Sequence, residues 1–139
     1  MTINEYFKKY MSVRKHSYLD GTDITITRNP QVVCKDGFVM SVQVGESLYS
    51  SPKSYTTEDY AEAEVGFPSE RESLLEVYAE GYCDEDDDYT DMVYPYVPCD
   101  VIDKVIEKHG GIDENAVQER IDEGKSRKIR QSKILEFSI

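Results

Sequence analysis

In the segment FVMSVQV, residues 38–44, Phe38, Met40, Val42 and Val44 fall on one side of an extended chain and Ser41 and Gln43 on the other. Side chains of a strand alternate between two faces, so this segment has an apolar face that a second layer must cover. AEAEVGF repeats the pattern, with Ala61, Ala63, Val65 and Phe67 opposite Glu62 and Glu64. Upstream, the Ile- and Thr-rich stretch Asp23–Arg28, the Asn29-Pro30 break and the short segment 31–35 lead into Asp36-Gly37. That tight-turn dipeptide predicts a β-meander closed by a hairpin. MVYPY, residues 92–96, is apolar enough for another strand, but Pro95 offers no N–H and predicts an edge or irregular position.

The covering layer is written in helical spacing. Thr2 and Glu5 form a T-x-x-E capping box around Ile3, Tyr6, Phe7, Tyr10 and Met11, predicting an amphipathic helix over 3–14. Ser69 and Glu72 make a second box and predict a helix over 69–80, stopped by Gly81. PCDVIDKVIEKHGG opens a helix at Pro98 or Asp100, buries Val101, Ile102, Val105 and Ile106, and ends at Gly110. A shorter helix over 113–123 is ended by Gly124, and Leu135, Phe137 and Ile139 alternate with Glu136 and Ser138 as in a final strand. Residues 45–59, rich in Ser, Thr and Tyr, read as a loop. The expected class is α+β: a small antiparallel sheet packed with about four helices, as one domain over 1–124, then a basic tail over 125–139 ending in a strand. A chain of 139 residues is the size of one such domain.

Charge divides the chain unevenly. Of 28 acidic residues, 14 lie between Glu58 and Asp91 against one base, Arg71, so that window holds a formal −13 of a net −12 and the remainder is +1. Residues 125–133 carry five bases and no acid. On the predicted helix Glu72, Glu76 and Glu80 recur every four residues as one stripe, where like charges disfavour the helix by about 0.2–0.5 kcal/mol per pair. Asp84, Glu85, Asp86, Asp87 and Asp88 then form an unbroken run, followed by Tyr89 and Asp91. If extended, such a run repeats its charge about every 3.3 Å, close to the roughly 3.4 Å per charge along one DNA strand. These residues, from Glu72 to Asp91, are the candidate partner-binding surface, and the expected partner is a basic protein such as the nucleic-acid groove of a nuclease. Tyr82, Tyr89, Tyr94 and Tyr96 flank the run, and tyrosine is enriched where surfaces bind. A solvated loop that aids solubility is the plainer alternative.

Catalytic signatures are missing from the sequence. There is no GxGxxG, phosphate loop, HExxH or GxSxG, so neither a cofactor nor a catalytic residue is expected. Asp84, Asp86 and Asp88 suit the first, third and fifth places of a calcium loop, but Tyr89 stands where glycine is required and Pro95 where the final glutamate is required. Cys34, Cys83 and Cys99 are an odd set without CxxC spacing and read as reduced thiols. His109 ends a helix, where a cation is favoured, and His16 follows a basic stretch. The basic tail lacks a stacking aromatic until Phe137, and the acidic remainder repels phosphate, so direct nucleic-acid binding is not expected. With no membrane-length apolar run and no secretion-type core in MTINEYFKKY, the expected location is the cytoplasm, away from membranes.

DGFVMSVQVG, EVGFPSERESLLEVYAE and VYPYVPCDVIDKVIEKHGGI together resemble a family of small acidic proteins encoded by phages and prophages of gut bacteria. In that family DGF-x-MSVQ, GFPS, Y-x-YVP and HGGI segments recur in this order. The resemblance spans 36–112, and the acidic expansion at 83–88 and the chain after Ile112 depart from it. It carries no catalytic residue with it. In size and composition the chain also resembles phage-borne inhibitors of host defence, of anti-CRISPR and anti-restriction type. That likeness implies an inhibitor in the bacterial cytoplasm that mimics DNA and competes for a nuclease groove; a phage accessory or structural protein is the alternative.

Overall fold

The computed structural model describes residues 1–81 and 84–137, the last four of these by their backbone alone. In chain order the elements are α1 (Ile3–Tyr10), β1 (Ser12–Ser17), β2 (Asp23–Arg28), β3 (Val32–Val33), β4 (Val39–Gln43), β5 (Glu62–Gly66), β6 (Val93–Pro98), α2 (Cys99–Lys108) and α3 (Glu114–Phe137). Strands β3-β4-β5-β6 form an antiparallel sheet in sequence order, and β1 and β2 form a separate antiparallel ribbon. The class is α+β, as expected, with three α-helices rather than four among the described residues.

The alternation of β4 and β5 builds the core. Met40, Val42, Val44, Ala63 and Val65 are fully buried, and against them pack Ile3, Tyr6 and Phe7 of α1 and Ile102, Val105 and Ile106 of α2. The predicted capping box forms: the Glu5 N–H donates to Thr2 Oγ1 and the Thr2 N–H to Glu5 Oε1. The Ile3 N–H also donates to Asp103 at 2.8 Å, joining the start of α1 to α2. On β6, Ala63 faces Val97 but Val65 faces Tyr94, so the strand carries one residue more than its partner. The bulge puts Tyr96 at φ 52° and turns its N–H to the Tyr49 carbonyl. Pro95 thus occupies a bulged edge strand, the setting that its missing N–H requires.

The ribbon is tied to the sheet where β2 reaches the end of β4. Gly45 has φ +127°, and a Cβ there would lie 2.4 Å from Thr27 Oγ1, whose hydroxyl donates to the Val44 carbonyl. Only glycine permits this approach. Gln43 completes the tie, accepting from the Asn29 N–H at 2.8 Å and donating to the Asn29 carbonyl at 2.9 Å.

Five local expectations are corrected. The first helix ends at Tyr10, because Met11 is extended and Ser12–Ser17 pairs with β2; every residue of β1 is exposed, so it carries no alternation to read. Phe67 does not continue the inner face of β5: its φ is +51° and it is 53% exposed. No α-helix spans 69–80, where the only helical piece is a single 3-10 turn, Glu76–Tyr78. Gly124 does not end a helix either. It lies inside α3, which continues through 135–137 in place of the predicted strand, while Ser138 and Ile139 lie outside the described residues. Lys, Arg and Gln are good helix formers, and three alternating apolar residues are too few to override that preference.

Candidate functional site

The segment 69–80 was expected to display acids on a helix, and long-range partners claim its two capping residues instead. Ser69 pairs with β4: its Oγ accepts the Val39 N–H at 2.9 Å and its N–H donates to the Val39 carbonyl at 2.7 Å. Glu72 turns inward to 2% exposure. Its Oε1 lies 2.7 Å from His109 Nε2, its Oε2 accepts the Leu74 N–H at 2.8 Å, and Lys108 Nζ is 3.0 Å from the carboxylate. His109, just past α2, places Nδ1 2.6 Å from Asp36 Oδ2, with Glu70 at 3.9 Å, and stacks on Phe38 at 4.1 Å between ring centroids. The hairpin turn, the end of α2 and the root of the acidic segment therefore meet on one buried imidazole.

Both ring nitrogens face carboxylates, so both are donors and the ring is an imidazolium. Burial opposes its charge and is the largest single influence, but the hydrogen bonds and charges of Asp36 and Glu72 together outweigh it and lift His109 above its ordinary 6.5. Burial likewise pushes Glu72 up, while the Leu74 N–H, His109 and Lys108 together bring it below its ordinary value. Asp36 is lowered chiefly by the Phe38 N–H and then by His109. A buried imidazolium held at both nitrogens has no lone pair to offer a substrate and acts as a clamp. Burial pushes the Cys34 thiol up to about 11 and the Cys99 thiol to about 12, so both stay protonated and unreactive. Cys83 lies outside the described residues.

The predicted surface residues separate into three groups. Glu72 is removed to the interior. Glu76, half-buried, pairs with Arg71, whose guanidinium also sits 4.1 Å over the buried ring of Tyr89. Glu80, Asp84, Glu85, Asp86, Asp87, Asp88 and Asp91 are exposed. The acidic run is not extended. The Asp84 N–H donates to Asp87 Oδ2 and the Asp86 N–H to Asp84 Oδ1, at 2.7 and 3.0 Å, while Asp88 Oδ1 accepts both the N–H and the hydroxyl of Thr90. Aspartate competes well for nearby backbone N–H groups, and here it curls the run into successive turns. The linear match to DNA charge spacing is therefore absent, and the acids form a compact knob. Its base is fixed by the Tyr94 hydroxyl donating to the Tyr89 carbonyl at 2.6 Å and by the Glu80 N–H donating to Val93. Among the described residues no Lys or Arg lies within salt-bridge distance of Asp84–Asp88 or Asp91. Of the flanking tyrosines, Tyr89 and Tyr94 are packed inside, Tyr96 is exposed and Tyr82 lies outside the described residues.

A second feature was not legible in the sequence. Ser12, Arg14, Ile26 and Arg28 share one face of the ribbon, which with Ser41 and Gln43 of β4 and Lys128 of α3 lines an open cleft of about 660 Å³. Its bases come from distant stretches of chain that only the fold brings together. Among the described residues no group of three or more His, Cys, Asp or Glu is placed to hold a metal ion, and no helix is long and apolar enough to cross a membrane.

Compared with protein-family models, with curated proteins and with solved structures, the chain finds no match in any of the three. What it does is therefore read from its own side chains.

Proposed function

We propose that this chain is a binding protein whose acidic knob, residues 84–91, docks on a basic protein surface and blocks it without turnover. One observation carries the reading: six exposed carboxylates stand on an anchored base with no Lys or Arg among the described residues within salt-bridge distance, in a window whose single base, Arg71, is already engaged by Glu76 and Tyr89. Like charges held this close repel one another, and a cationic partner relieves that repulsion and is steered by it. Because the knob is compact, it suits a cationic pocket better than a long duplex groove. The finer reading is inhibition of a bacterial defence nuclease by filling a cationic pocket of its nucleic-acid-binding surface, in place of the extended duplex mimicry that the sequence suggested. It is supported by the knob's charge and by the likeness in size and composition to phage-borne inhibitors.

The test compares three forms for salt-sensitive capture of basic proteins from bacterial lysate: wild type, Asp84→Asn/Asp86→Asn/Asp88→Asn, and a control of equal charge change, Asp100→Asn/Glu107→Gln/Glu119→Gln. The knob variant is expected to lose capture and flatten its salt dependence, the control to keep both, and the corresponding Lys triple to bind worst. Equal capture by all forms would leave the acidic run as a solubilising loop.

A further inference from the structure

We infer that the cationic cleft is a docking site for the acidic knob of a second copy of this chain. The inference rests on the reading above, that the knob is a docking element, and gives that element a partner within the same population of molecules.

The charged side chains that line the cleft are Arg14, Arg28 and Lys128, and no acid joins them, although the chain as a whole carries −12. None of the three is within salt-bridge distance of a carboxylate among the described residues. Glu46 and Glu64, on neighbouring segments, are turned to the backbone N–H groups of Thr25 and Tyr49. Because Arg14 faces Ile26 in the ribbon and Ser12 faces Arg28, the two arginines are diagonal neighbours on one face. Such neighbours stand about 7–8 Å apart, far enough to take two separate carboxylates. Lys128 completes the site from α3, and Lys125, three residues earlier and exposed, stands on the same side of that helix. Both halves of a charge-complementary contact are thus built on one chain, and neither half meets the other within it. At physiological salt, charges beyond about 8 Å are largely screened, so the net repulsion of two acidic chains does not prevent a local contact of opposite charge. The contact joins unlike surfaces, so each copy offers one knob and one cleft. Self-association covers the knob and competes with any external basic partner.

Sedimentation velocity at low and high salt tests this with wild type, the knob triple Asp84→Asn/Asp86→Asn/Asp88→Asn and the cleft triple Arg14→Glu/Arg28→Glu/Lys128→Glu. Circular dichroism checks folding, and Arg14→Ala/Arg28→Ala serves as a milder cleft variant. Wild type is expected to associate at low salt and separate at high salt, and each triple alone to remain monomeric. An equimolar mixture of the two triples is expected to associate again, because one retains the knob and the other the cleft. A wild type that stays monomeric at low salt, or a mixture that does not associate, overturns the inference. Titrating the same samples with a labelled oligo-lysine peptide separates the two levels: knob-dependent binding by a monomeric wild type removes self-docking and leaves the knob as a docking element, whereas no knob-dependent binding removes both. Cleft-dependent binding of a labelled oligonucleotide by a monomeric wild type assigns the cleft to nucleic acid and likewise overturns the inference.

Discussion

His109 Nε2 lies 2.7 Å from Glu72 Oε1, a contact across 37 residues that ties the root of the acidic segment to the end of α2. Removing one partner of a buried ion pair leaves the other charge uncompensated, at about 3–5 kcal/mol. His109→Ala and Glu72→Ala are each expected to destabilise the fold by about that much in urea unfolding. Losses below about 1 kcal/mol for both, the range of an exposed pair, would show that the imidazole is not a clamp.

The same cluster makes stability depend on pH in two directions. His109 is raised in the folded state, so its contribution is complete below the unfolded histidine value and is lost as pH rises through the folded one. Glu72 and Asp36 are lowered, so theirs is present above the unfolded carboxylate values and is lost as pH falls through the folded ones. Melting temperature against pH should therefore show a plateau between the carboxylate and histidine ranges, and His109→Ala should flatten its alkaline side. An alkaline side unchanged by that substitution would contradict the assignment.

Gly45→Ala combines a left-handed backbone with a clash against Thr27. A loss of about 1–3 kcal/mol is expected, with faster hydrogen exchange in β1 and β2 than in β4 and β5. Uniform exchange changes across both sheets would mean that Gly45 does not hold the ribbon in place.

Gly124 is the opposite case, since nothing lies within 4 Å of a Cβ added there. Gly124→Ala should strengthen α3 by about 0.5–1 kcal/mol and raise the helical signal in far-ultraviolet circular dichroism. A fall in that signal would place the helix end at Gly124 after all.

Ile102 is fully buried on α2, whereas Ile129 on α3 is 58% exposed. Ile102→Ala should cost about 2–5 kcal/mol and Ile129→Ala no more than about 0.5 kcal/mol in chemical denaturation. Similar costs at both positions would be inconsistent with the packing described.

Elements with one buried face were legible because burial writes a period into sequence. Met40, Val42 and Val44 show the period of a strand, and Ile102, Val105 and Ile106 that of a helix. The ribbon strand β1 buries nothing, so it wrote none. Ser69 and Glu72 misled because a local motif competes with partners far away in the chain: Val39 and His109 take the two side chains that a capping box would have used, and no residue within 69–80 encodes either partner. The abundance of acid at 84–88 was plain in the sequence, but its curled form depended on which aspartates reach which N–H groups. The cleft was invisible because Arg14, Arg28 and Lys128 share no local pattern.

The bulge on β6 also guards the margin of the four-stranded sheet. An open sheet edge is a template on which another strand can add, the route to fibrous aggregates. On β6 that route is closed: Pro95 has no N–H to give, and the N–H of Tyr96 is turned to Tyr49. The opposite edge, β3, is only two residues long. Strand-by-strand growth is thus denied at both margins of the four-stranded sheet, so its buried apolar face stays closed to a further strand.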